Sequence, residues 1–249
     1  MLMLCGLLLG TGAIVQASEP GYEVEEAYQT TAVTLDGAWD TDEWEDGWLE
    51  WMDPEVSYTR FVYKADSNLA YAPEILIDSI DTTDDAGDIW QICIGEEAGG
   101  DAPQADQHLI EIVGHETLTV YEGDGADWVE MVDETAVTWA DSLTSDNPAP
   151  FDYEHWCVEI IVDKASIGGG DATWNAAPPI GFRVAMYDET EDTWKAWPPE
   201  SERDVPEGWG LITGGNPSIP ESLSIGVVAL LSSVAVAVVF YSRRKRPKI

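Results

Sequence analysis

The sequence predicts an all-β protein, an antiparallel jelly-roll-like β-sandwich, followed by one C-terminal transmembrane helix. Three observations lead there. Short runs rich in β-branched and aromatic residues recur between clusters of Gly, Pro, Asp and Asn along the middle of the chain. In the clearest run Trp156, Val158, Ile160 and Val162 alternate with Cys157 and Glu159, the period of two that marks a strand. Leu223 to Tyr241 carries no charge and is followed by Arg243, Arg244, Lys245, Arg246 and Lys248.

Taken in order, residues 1–17 read as a secretory signal, because Leu2 to Val15 is apolar or small and Val15-Gln16-Ala17 offers a cleavage site before Ser18. Residues 18–31 form a polar, acidic leader. The sandwich is expected over 32–213, with strands at Ala32 to Leu35, Val56 to Tyr63, Ala70 to Ile77, Ile89 to Gly95, His108 to Val113 and Thr117 to Tyr121. Further strands are expected at Trp128 to Val132, Ala136 to Trp139, Trp156 to Val162, Ile180 to Tyr187 and Thr193 to Trp197. Thr41 to Glu45 suits a single helical turn capped by Asp40. Residues 214–222, rich in Gly, Pro and Ser, read as a stalk. A helix over 223–241 reaches close to the thickness of a hydrocarbon core. The basic tail, 242–249, then fixes orientation, with the C-terminus cytoplasmic and the domain extracellular on a single-pass cell-membrane anchor.

The chain has 48 acidic and 11 basic residues, a formal net charge of −37. Such a surface repels phosphates, which excludes nucleic acid as a partner, and it favours cations. Twelve Trp and nine Tyr argue for a packed core over disorder. With Cys5 in the signal, Cys93 and Cys157 form an even pair in an oxidising compartment, either a disulfide or two buried thiols. The run Asp81-Thr82-Thr83-Asp84-Asp85-Ala86-Gly87-Asp88 offers hard oxygen ligands on a bent loop, so Asp84, Asp85 and Asp88 are candidate calcium ligands, against a solvated acidic turn. A weaker run of the same kind is Glu122-Gly123-Asp124-Gly125-Ala126-Asp127. No Gly-x-Ser-x-Gly, His-Glu-x-x-His or Cys/His nucleophile pattern occurs, so no enzyme activity is expected.

Two stretches carry a family resemblance. Val33-Thr34-Leu35-Asp36-Gly37-Ala38-Trp39-Asp40-Thr41-Asp42-Glu43-Trp44 resembles the opening of family 9 carbohydrate-binding modules and the related DOMON-like sandwiches. Gly37 permits a turn there, Asp36 bonds local amides, and Trp44 is expected to plug one end of the sandwich. The strand Trp156 to Val162, then Pro179 to Asp188, Trp194 to Trp197 and Gly208-Trp209-Gly210-Leu211 resemble that family's closing pattern. The resemblance implies a non-catalytic module that binds carbohydrate on aromatic platforms, with calcium bracing its loops. It departs from the family at Ser201-Glu202-Arg203-Asp204, where Glu202 stands in place of a stacking Trp.

Trp194 and Trp197, three apart, fall on opposite faces of an extended segment, one in the core and the other exposed; Trp197 is the platform candidate, weighed against core packing. Trp194, Trp128, Arg183 and Arg203 complete the expected ligand site, the guanidinium groups clamping hydroxyls or neutralising nearby carboxylates. DOMON-like relatives imply a rival reading, a b-type haem electron carrier, for which His108, His115, His155, Met52, Met131 and Met186 are candidate axial ligands. A surface-layer or adhesion module without a small ligand is the other. Pro220-Glu221-Ser222, the apolar run and the basic tail resemble PEP- and PEF-type sorting tails.

Overall fold

A computed structural model describes residues 21–25, 31–52, 59–66, 72–96, 99–131, 135–145, 153–163, 167 and 179–213. All belong to the unit Met1–Gly214. The expected signal, stalk, transmembrane helix, sorting tail and basic tail lie outside the described residues, and among the described residues no helix is long and apolar enough to cross a membrane.

The strands are β1 (Glu23–Glu25), β2 (Trp48–Trp51), β3 (Arg60–Asp66), β4 (Ala72–Asp78), β5 (Ile89–Gly95), β6 (Gln107–Val113) and β7 (Thr117–Gly123). They continue with β8 (Trp128–Glu130), β9 (Val137–Thr144), β10 (His155–Val162), β11 (Ile180–Asp188), β12 (Thr193–Trp197) and β13 (Gly210–Thr213). The larger sheet runs β1-β13-β11-β5-β6-β7-β8, with β12 also paired to β11, and the smaller runs β2-β3-β4-β10-β9. Both sheets are antiparallel except where β1 lies parallel to β13. The molecule is therefore a β-sandwich.

Alternation places the inner faces. Ile92, Ile94, Ile110, Ile112, Phe182 and Val184 of the larger sheet pack against Phe61, Tyr63, Ile75, Ile77, Val158 and Ile160 of the smaller. Phe182 touches both Phe61 and Tyr63, at ring separations of 5.8 and 5.3 Å. The outer face of the smaller sheet is covered as well. There the loop through Asp36 and helix α1 (Thr41–Trp44) lays Trp39 and Trp44 on Val62, Leu76 and Cys157. Helix α1 starts as expected, with Asp40 Oδ1 accepting the Asp42 amide at 2.8 Å. Gly37 sits at φ 76°, and a side chain there would meet the Asp141 backbone at 2.3 Å.

Four expectations are corrected. Trp44 lies on the outer face of the smaller sheet and not at a sandwich end, because Glu159 reaches outward to hold its indole. Ala32 to Leu35 is loop, and the expected leader contributes strand β1, whose Val24 is buried in the core. Three residues are too few for a period to register. Strand β9 runs on to Thr144, past the expected Trp139. Cys93 and Cys157 are free and buried, Cys93 on the outer face of the larger sheet and Cys157 on that of the smaller, with the core between them. Parity assigns a face, but it does not say which sheet a strand joins.

Candidate functional site

Outward positions of β5, β6 and β11 build a polar floor on the larger sheet. Register sets Gln91 beside Glu111 on one side and Ala185 on the other, with Arg183 opposite Cys93 in the adjacent row. Gln91 Nε2 donates to Glu111 Oε2 at 2.7 Å, and Gln91 Oε1 accepts from Arg183 Nη1 at 3.1 Å. The segment after β12 rises over this floor as a wall. Ser201 O accepts from Arg183 Nε at 3.0 Å, and Arg203 Nη1 lies 3.3 Å from Glu111 Oε2. Asp204 Oδ1 takes the Trp128 indole N–H at 2.9 Å and faces Arg203 Nε at 3.2 Å, while Glu202 O takes the Trp209 indole N–H at 3.1 Å. Every guanidinium and amide is fixed by a partner, so the floor is preorganised.

Floor and wall enclose a cavity of about 1040 Å³ whose lining includes Gln91, Glu111, Arg183, Trp194, Ala196 and Arg203. Trp194 is 46% exposed and leans on Tyr187 at 5.3 Å, so an indole face is offered beside fixed polar groups. Such a site can hold a molecule with one apolar face and several hydroxyls.

The structure thus brings Trp194, Arg183 and Arg203 together, with Trp128 behind the wall through Asp204. Trp197 is a correction. Its register with Val184 turns it inward, where it is 3% exposed against Phe61, Phe182 and Tyr22. The opposite faces of the pair were legible from spacing, but their direction was not. Gln91 and Glu111 escaped sequence reasoning, although each is a polar residue flanked by apolar neighbours at an outward position of its strand.

The acidic loop is also redrawn. Asp84 is exposed, and Asp85 accepts from Thr83 and Thr190. Asp88 instead clusters with Asp81 and Asp188, all three buried, their carboxylate oxygens within 4.8 Å of one another. That spacing is about twice a calcium–oxygen distance, so one ion reaches all three. Asp81 Oδ2 and Asp88 Oδ2 are buried without a hydrogen-bond partner, and Lys195 Nζ stands 3.4 Å from Asp188 Oδ2. Burial pushes the Asp88 carboxyl up to about 6, with the Glu189 amide opposing and Asp81 adding to the rise. The donor set fits a divalent cation.

The haem candidates are not gathered. His155 is buried on the outer face of the smaller sheet, held by Asp78 and the Tyr153 carbonyl. His115, in the β6–β7 turn, bonds Asp141 between Trp90 and Trp156, and His108 lies buried on β6. Met52 and Met186 fill the core, with Met131 against it.

No family model matches the chain, and no curated protein matches it. Among solved structures the fold is similar to a family 9 carbohydrate-binding module from Caldicellulosiruptor kristjanssonii in complex with glucose, with a TM-score of 0.55 and 13% identity over 79% of this chain and 97% of that one. It is also similar to a Bacteroides uniformis protein assigned to carbohydrate binding, with a TM-score of 0.53 and 10% identity over 78% of this chain and 99% of that one. At these identities the likeness establishes the fold.

Proposed function

We propose that this protein is a non-catalytic, extracellular carbohydrate-binding protein held to the cell membrane by the apolar run Leu223 to Tyr241. The observation that carries the reading is the cavity on the larger sheet, where a half-exposed indole stands over hydrogen-bonding groups already locked in place. A sugar ring fits this chemistry, its C–H face packing on Trp194 and its hydroxyls meeting Gln91, Glu111 and the two Arg side chains. That both similar folds are named for carbohydrate binding supports it. The anchor is supported by the charge-free run and the basic residues after it. We assign calcium to Asp81, Asp88 and Asp188, where it would neutralise three buried carboxylates and tie the loop before β5 to the end of β11.

Intact cells displaying the full chain test both halves together. Labelled glycans from a broad panel should be captured, external protease should abolish capture, and Trp194→Ala should weaken it about ten-fold or more. Capture unchanged in Trp194→Ala would move the site elsewhere. Capture absent from intact cells and gained on permeabilising them would place the domain on the wrong side of the membrane.

A further inference from the structure

The charges around the cavity narrow the ligand. Its lining holds four carboxylates, Glu111, Glu200, Glu202 and Asp204, against two guanidinium groups, Arg183 and Arg203. Both cations already pair with or donate to groups of the protein itself. Arg203 is flanked by Glu111 and Asp204, and Arg183, 4% exposed, is held by Gln91 and the Ser201 carbonyl. Glu200 and Glu202 are exposed on the wall, and no cation of the described residues pairs with either. The Glu202 carbonyl is fixed by the Trp209 indole, which pins the backbone of an exposed residue in the cavity lining. Trp194 and Tyr187 add two aromatic rings on the same outer face, and an aromatic face attracts cations.

Carboxylates beside an exposed indole are the recognition chemistry of an ammonium group carried on an apolar framework. We infer, resting on the carbohydrate reading above, that the cavity takes a saccharide bearing free amino groups, a glucosamine-type chain, with its ammonium groups against Glu200 and Glu202 and a sugar face on Trp194. Uronates and sulfated sugars meet an excess of negative charge and are rejected. A neutral sugar can use the floor but leaves the wall carboxylates without a partner.

The test compares the glucosamine hexamer with the N-acetylglucosamine, glucose and galacturonate hexamers on the purified full chain by calorimetry. Mildly acidic pH keeps the amines protonated. The amino hexamer should bind about ten-fold tighter than the neutral ones, and the galacturonate hexamer should not bind. Glu200→Gln with Glu202→Gln should erase the preference while leaving neutral binding in place, and neither side chain has a bonding role in the fold. Because the whole protein is acidic, the control is Asp42→Asn with Glu45→Gln on the other sheet, which removes the same charge and should leave the preference intact.

Equal affinity for amino and neutral hexamers, a preference that survives the Glu200/Glu202 variant, or one lost equally in the control would overturn the amino-sugar assignment and leave carbohydrate binding standing. Failure of all four hexamers to bind would also overturn the amino-sugar assignment, and failure of the broad glycan panel as well would remove both readings.

Discussion

Glu159 shows what one side chain can organise. It points outward from β10, fully buried, and its carboxylate accepts the Asp36 amide at 2.9 Å, the Gly37 amide at 2.8 Å and the Trp44 indole N–H at 2.8 Å. Burial pushes its carboxyl above the ordinary range even though those donors pull it down. Glu159 joins the two resemblance-bearing stretches, the Asp-Gly turn and the β10 strand. The alternation of β10 was readable in sequence, but the partner of its outward acid lies more than a hundred residues away. Glu159→Ala should lower the unfolding free energy by about 3 kcal/mol, since three donors lose their acceptor, and Glu159→Gln by less, because its amide oxygen retains some of them. Urea titration decides: equal losses for the two variants would show that volume, and not hydrogen bonding, holds the loop.

At the level of elements, the hairpin of β11 and β12 serves both proposed sites. Its inner side carries Asp188 and Lys195, its outer side Tyr187 and Trp194. Both strands were readable from their composition, and β5, at Ile89 to Gly95, matches its expected bounds. Strands β1 and β2, each at one edge of its sheet, were not. Strand β1 exists because β13 offers it a parallel partner, from Glu23 beside Leu211 to Glu25 beside Thr213, and no local pattern announces that. Calcium should raise the melting temperature of the chelator-treated protein by several degrees, through binding to the native state alone. Asp188→Asn should remove that gain and Asp84→Asn should keep it; the reverse result would return the ion to the exposed loop.

For the whole molecule, acidity and burial set opposing responses to pH. Burial holds Asp88 at about 6 against an ordinary 3.8, so the folded state binds the extra proton and stability falls as pH rises from about 4 to about 6. Burial holds His108 at about 4 against an ordinary 6.5, so the unfolded state binds the extra proton and stability rises across nearly the same window. Without calcium, Asp88→Asn should therefore become more stable as pH climbs through this window, and His108→Gln less stable. Thermal melts at several pH values check the two slopes, and slopes of the same sign would contradict the assignment. By itself the sequence determined the all-β class, most strand positions, the acidic surface, and Trp194, Arg183 and Arg203 as binding candidates, because alternation and composition are local properties of the chain. Only the tertiary structure decided that Trp197 turns inward, that the two cysteines are parted by the core, and that Asp88 meets Asp81 and Asp188. Each depends on which strands pair and in what register, and that is settled by contacts between residues far apart along the chain.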